Sequence, residues 1–238
     1  DIASIAREKA GIVKPGVPLI VGPLVAEAWR EVEAMADAVK ARVIHTDRDA
    51  ELSSFVAQHP PALGGAHQSE NAKIAVALGR EAGLSTEAIA AGLRNVKWAG
   101  RLESLQTELG EVLLDAAHNP DGAEALAAAL RARNLPSQKV ALVFGAMADK
   151  DHAGMLARLA SCAATRVYVA PEGRRAAEPS ALAHELSGDV ADSLESAMAM
   201  ARGAAGPDGL VVVAGSIFLV GAARAWLLGL ERDPAIAL

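Results

Sequence analysis

Asp115, His118, Asn119 and Asp121 stand together in LLDAAHNPDGAEAL, where an apolar, strand-like run gives way to an alanine-rich helical one. Polar residues at a strand-to-helix turn suit ligand binding, because the first backbone N–H groups of a helix have no intrahelical partner and can meet an anion. Asn119 before Pro120 also reads locally as a helix start, with asparagine as the cap and proline as the first helical residue. An ordinary capped helix explains Asn119 as well as an anion site does, but capping one helix requires neither Asp115 nor His118. GGAHQSENA has the same character: His67, Gln68 and Asn71 follow two glycines at an expected helix start, which a cap and turn would also explain. Neither His67 nor His118 has a second His or Cys at metal-ligand spacing, which argues against a zinc site. Arg101, in WAGRLE, carries a planar charged fork suited to phosphate, although an arginine alone is more often a salt-bridge partner.

These residues need elements to position them. VPLIVG (17–22), VAEAWREVEAMADAVK (25–40) and ARVIHT (41–46) predict a strand, an amphipathic helix and a second strand. A loop with Pro60, Pro61, Gly64 and Gly65 is expected next, then a helix starting at Ser69 or Asn71 and closed by Gly83, then a short helix capped by Ser85. Two extended segments around 108–110 predict a hairpin, and the domain boundary is expected between 97 and 101, giving units 1–98 and 99–238. Beyond it strands alternate with helices, which predicts an α/β fold whose mostly parallel sheet is covered on both faces. Ligands of such sheets sit beyond the carboxyl ends of the strands. Asp115 follows VLL, GAMADKD (145–151) follows VALVF, and Gly215-Ser216 follows LVVVA, so three strand ends converge on one rim.

Composition narrows the partners. The chain has 238 residues, a net charge of -6, and no basic run interleaved with aromatics, which excludes an obvious nucleic-acid track. Its single cysteine, Cys162, lies in an apolar stretch and reads as core, so a reducing, cytoplasmic setting is expected. Residues 209–230 approach the length of a membrane span, but Arg224 and Gly215-Ser216 interrupt them, and strand, turn and buried helix is the better reading. No membrane association is expected. DIASIAREKAG opens the chain as a helical run with no initiating methionine or cap, which suggests a fragment.

REKAGIVKPG, GGAHQSENA, WAGRLE, LLDAAHNP, FGAMADKD and VAGSIFLVG occur in an order that resembles the folylpolyglutamate synthase and dihydrofolate synthase family of the Mur ligase superfamily. The resemblance covers nearly the whole chain. It implies the C-terminal portion of a Mur-ligase-type ATP-binding domain over 1–98, followed by a Rossmann-like ligase domain over 99–238. It also implies an ATP-dependent amide ligase, in which the γ-phosphate passes to a carboxylate of dihydropteroate or folate and the amine of L-glutamate attacks the acyl phosphate. ATP, Mg²⁺ at two sites and a monomeric state are implied with it.

By the same resemblance Asn71 contacts the adenine, Asp115 the ribose, Arg101 the phosphates, and His118 lies near the transferring phosphoryl group. Lys150 and Ser216 face the incoming glutamate or the phosphates. Lys9, in EKAGI, resembles a carbamylated lysine that helps bind a second magnesium ion, a modification needing an uncharged amine, which burial favours. The family's phosphate loop would lie before Asp1, so this chain alone is not expected to hydrolyse ATP. The stretch 46–67 is shorter than the family pattern, Ala99 stands where proline is usual, and Ala222 where an acid is common. Two other readings remain: a sister Mur ligase that extends a peptidoglycan precursor, and a truncated nucleotide-binding module without catalysis. The EKAGI and VAGSIFLVG segments favour the folate branch over the first of these.

Overall fold

Short apolar runs become strands in both halves of the chain, in a computed structural model that describes residues 1–108, 110–173 and 175–231. The chain divides into two units, Asp1–Lys97 and Trp98–Leu238.

In the first unit the order is α1 (Ile2–Ala10), β1 (Leu19–Val21), α2 (Ala26–Val39), β2 (Val43–His45), α3 (Ala50–Gln58), α4 (Ala66–Glu81) and α5 (Thr86–Asn95). The expected β-α-β unit is present, with β1 and β2 parallel and Leu19 opposite Val43. Leu52, Val56, Val76, Ile89 and Leu93 form its core. Three local expectations are corrected. α1 does have a cap, because the Asp1 side chain accepts from the Ser4 amide. The stretch expected as a loop after Thr46 contains α3: Asp49 accepts from the amides of Glu51 and Leu52, and Leu52, Phe55 and Val56 recur at helical spacing toward the core. α4 begins at Ala66 after Gly65, so Ser69 and Asn71 lie inside the helix rather than at its start.

In the second unit β3 (Glu103–Thr107) and β4 (Gly110–Asp115) form the expected antiparallel hairpin; Leu109 at its tip lies outside the described residues. There follow α6 (Pro120–Ala132), β5 (Val140–Phe144), α7 (His152–Leu159), β6 (Thr165–Tyr168), α8 (Pro179–Glu185), β7 (Asp189–Val190), α9 (Leu194–Ala205), β8 (Leu210–Ala214) and α10 (Ile217–Leu228). The six strands run in the order β3-β4-β8-β5-β6-β7, and all pairs except β3–β4 are parallel. The short β7 is not signalled by the sequence, since two exposed residues carry no period.

β5 and β8 are buried along their whole length, which is why they read as continuous apolar runs rather than alternating ones. Leu142, Phe144 and Val212 pack with Leu126, Met155, Leu156 and Leu182 from α6, α7 and α8. On the opposite face Val143, Val211 and Val213 meet Met198 of α9 and Leu219 and Ala223 of α10. Residues 209–230 thus form β8, a turn and α10, and no helix among the described residues is long and apolar enough to cross a membrane. Cys162 is buried in the first of these two faces.

Candidate functional site

The three strand ends named from the sequence lie level with one another. Asp115 pairs with Ala214, and Ala214 with Phe144, so β4, β8 and β5 finish side by side. Backbone hydrogen bonds stitch the segments that follow: Gly215 N–H to Ala117 O at 3.0 Å, Gly145 N–H to Ala214 O at 3.3 Å, and Ala116 N–H to Gly100 O at 2.7 Å. α6 leaves β4 toward one face and α10 leaves β8 toward the other. Chains diverging from adjacent parallel strands open a crevice where ligands bind in open α/β sheets.

Glycine is required at this rim. Gly215 has φ +106°, and a Cβ there would stand 2.6 Å from the Gly145 carbonyl oxygen; one on Gly145 would stand 2.2 Å from that of Val169. Both approaches are backbone against backbone, so no side chain can rotate away to relieve them.

Asp115 is 8% exposed. Its Oδ1 accepts from the Ala117 amide at 3.0 Å and its Oδ2 from the Leu102 amide at 2.9 Å. Leu102 sits at φ +46°, a left-handed conformation that is uncommon for a leucine, and the Asp115 bond helps hold it. His118 is exposed, and its Nδ1 lies 2.9 Å from the Ala116 carbonyl oxygen. That oxygen can only accept, so Nδ1 carries the hydrogen and Nε2 is left to meet a ligand. Asn119 is the helix cap read from the sequence: its Oδ1 accepts from the Gly122 amide at 2.8 Å, with Pro120 following.

The remaining candidates in this unit differ in availability. Arg101 is exposed, and its guanidinium makes no hydrogen bond or ion pair among the described residues. Lys150 lies 3.1 Å from Asp149, whose carboxyl is held below the usual carboxylate range by that hydrogen bond. Ser216 is only 1% exposed, and its Oγ accepts from the Phe218 amide to cap α10. The capping bond uses Oγ as an acceptor and leaves its hydrogen to donate.

In the first unit Asn71 lies on α4, where its Nδ2 donates to Gln68 Oε1 at 3.1 Å, and Gln68 Nε2 lies 3.0 Å from His67 Nε2. Gln68 and Asn71 line a cavity of about 300 Å³ whose other walls include Leu63, Leu84, Ile89 and Val96. A small, mostly apolar pocket with two amides suits a flat heteroaromatic ring. Lys9 sits at the end of α1 with its side chain 76% exposed, 3.6 Å from Glu8. The burial that would favour an uncharged amine is therefore not supplied within this unit. Among the described residues no three His, Cys, Asp or Glu side chains gather to hold a metal ion. Magnesium is commonly held by one or two protein oxygens together with substrate phosphates and water, so such a cluster is not what a nucleotide-bound magnesium requires.

Sequence reasoning missed Glu103 and Arg224. Glu103 follows Arg101 closely in WAGRLE, and Arg224 served only as an interruption of an apolar stretch. Glu103 receives Arg224 Nε at 3.0 Å on both carboxylate oxygens and the Gly100 amide at 2.8 Å on Oε2. A separation of 121 positions along the chain hides the pair from any local pattern.

A mostly parallel sheet with polar residues at its strand ends is the α/β class of fold that binds ligands at its carboxyl edge. Residues 100–217 match the family described as Mur ligase, glutamate ligase domain. The folylpolyglutamate synthase of Lacticaseibacillus casei is 32% identical over 252 residues, covering 96% of this chain and 58% of the relative. The solved Mycobacterium tuberculosis folylpolyglutamate synthase complexed with ADP superposes with a TM-score of 0.84 at 28% identity, covering 99% of this chain and 60% of that one. E. coli FolC in complex with DHPP and ADP gives 0.81 at 30% identity, covering 96% and 57%. The chain belongs to the folylpolyglutamate synthase/dihydrofolate synthase family, and it spans somewhat under two thirds of the length of these relatives.

Proposed function

We propose that this chain is part of an ATP-dependent ligase that joins L-glutamate to dihydropteroate or a folate. The γ-phosphoryl group passes to the acceptor carboxylate, giving an acyl phosphate and ADP. The glutamate nitrogen then forms the amide bond as phosphate leaves and the amine loses its proton. The observation that carries this reading is the stitched rim of the second unit, where Asp115, His118 and Arg101, unpaired among the described residues, stand on segments tied to adjacent strand ends. Phosphoryl transfer relies on positioning and on cations facing the developing charge, which such a rim can supply.

In this reading Asp115 holds the ribose hydroxyls, Arg101 the phosphates, and His118 presents Nε2 to the transferring group. Asn71 meets the adenine at the mouth of the apolar cavity of the first unit. Lys150 and the Ser216 hydroxyl reach the phosphates or the incoming glutamate, Ser216 from the turn that starts α10. For Lys9 the support is the EKAGI motif alone: a carbamate there would help bind a second magnesium ion. A Lys9→Ala protein with unchanged magnesium dependence would remove that role.

The deciding assay uses the full-length protein and follows phosphate release. Release should require ATP, Mg²⁺, L-glutamate and either dihydropteroate or tetrahydrofolate. Absence of release with any pteridine acceptor, coupled with release on a muramyl precursor, would transfer the protein to the peptidoglycan branch of the superfamily.

A further inference from the structure

We propose that Glu103 and Arg224 are positioning residues for Arg101, forming a clamp that fixes the backbone from which Arg101 reaches phosphate; the proposal rests on the phosphate role of Arg101 given above. Arg101 lies between two residues of positive φ, Gly100 at +68° and Leu102 at +46°. Backbone in such regions is costly and persists only where its surroundings over-determine it. Here the surroundings do so residue by residue. Gly100 N–H donates to Glu103 Oε2 at 2.8 Å, Gly100 O accepts from Ala116 N–H at 2.7 Å, and Leu102 N–H donates to Asp115 Oδ2 at 2.9 Å. A Cβ on Gly100 would meet Val220 Cγ1 at 2.9 Å, so α10 closes over the turn and leaves room for glycine alone.

Glu103 holds this arrangement from β3, and Arg224 holds Glu103 from α10. The Arg224 Nε lies 3.0 Å from both carboxylate oxygens, with side-chain exposures of 32% for Arg224 and 19% for Glu103. Glu103 Oε2 therefore serves two donors, the guanidinium and the Gly100 amide, and losing the guanidinium frees the carboxylate to turn away from the amide. Arg101, between the pinned positions, has a guanidinium with no hydrogen-bond or ion-pair partner among the described residues. A partly buried ion pair serving stability alone would be replaceable by apolar side chains at little cost. A clamp of this kind instead pre-arranges a cation, so that its ordering is not charged against ligand binding.

The test measures kcat and KM in the full-length protein for Arg101→Ala, Glu103→Gln, Arg224→Met and Arg224→Lys, and for the Arg101→Ala/Glu103→Gln double variant, with folding followed by circular dichroism. Arg101→Ala, Glu103→Gln and Arg224→Met should each raise KM for ATP about tenfold, the scale of losing one hydrogen bond to a charged group, while KM for the acceptor changes less than about twofold. Arg224→Lys should recover most of the loss. The double variant should be no worse than Arg101→Ala, because Glu103 acts through Arg101. If Arg101→Ala changes KM for ATP but Glu103→Gln and Arg224→Met do not, or if the losses multiply in the double variant, the clamp is overturned and the phosphate role survives. If Arg101→Ala itself leaves KM for ATP unchanged, the phosphate role fails and the clamp with it. Should Arg224→Met fail to fold, Glu103→Gln and Arg224→Lys decide the matter, since both keep polar groups in place.

Discussion

In the second unit Asp115, Gly145 and Gly215 stand at the ends of strands buried within a six-stranded sheet, whereas in the first unit Lys9 and Asn71 ride on helices beside a two-stranded one. The strand ends of the second unit are bonded to each other through the backbone, so moving one displaces the rest. The helical positions in the first unit are held by local side-chain contacts instead: Asn71 bonds Gln68, and Lys9 has an exposed contact with Glu8. Polar residues on a rigid rim are pre-arranged by the same hydrogen bonds that close the fold. Function and stability should therefore be coupled in the second unit and separable in the first.

Glycine substitutions test that contrast with the largest effect. Gly215→Ala combines φ +106° with a Cβ 2.6 Å from a carbonyl oxygen and should cost about 3 kcal/mol or more in denaturant unfolding. Gly83→Ala in the first unit has φ +75° but open space around it, and should cost only about 1 kcal/mol. Equal losses at the two sites would mean that the rim is no more constrained than an exposed turn.

Asp115→Asn comes next. Its amide keeps one acceptor oxygen, so one of the Leu102 and Ala117 amides loses its partner, at a cost of about 1–2 kcal/mol. ATP use by the full-length protein should fall as well. A loss of ATP use with unchanged stability would show that the two roles of this carboxylate are separable after all.

Glu111 offers a smaller, pH-dependent effect away from the rim. The Arg133 hydrogen bond at 2.6 Å holds its carboxyl below the ordinary 4.5. A carboxyl whose folded value is lowered stabilises fully above its unfolded value and loses that contribution as pH falls through the lowered one. Wild type should thus exceed Glu111→Gln in stability by about 1 kcal/mol near pH 7, with the difference closing below about pH 4.5. A difference that widens on acidification would contradict the assigned direction. Smallest of all, Lys9→Ala should shift stability by less than about 0.5 kcal/mol, because an exposed lysine beside an exposed glutamate holds little. A larger thermal shift would show that Lys9 carries load in the first unit.

Local chemistry explains which parts of this were legible. Asn119-Pro120, Ser85 and the buried runs of β5 and β8 announce themselves, because caps and burial depend on a few adjacent residues. α3 is weakly signalled: Asp49 caps it and Leu52, Phe55 and Val56 recur at helical spacing, but two prolines and two glycines downstream mark the same stretch as loop. The near-complete burial of Ser216 has no local signal, because it depends on the strands and helix packed around its turn.

The sequence by itself determined the alternation of strands and helices, the strand ends at which polar residues fall, and, through the order of its motifs, the family. Those features are written in neighbouring residues. Only the tertiary structure decided the strand order, the bonding of Asp115 to Leu102, the pairing of Glu103 with Arg224, and the exposure of Lys9. The first three depend on groups apart along the chain, whose distance is set by packing two helical layers against a sheet, and the exposure of Lys9 depends on which face of α1 is covered, so no local preference fixes any of them.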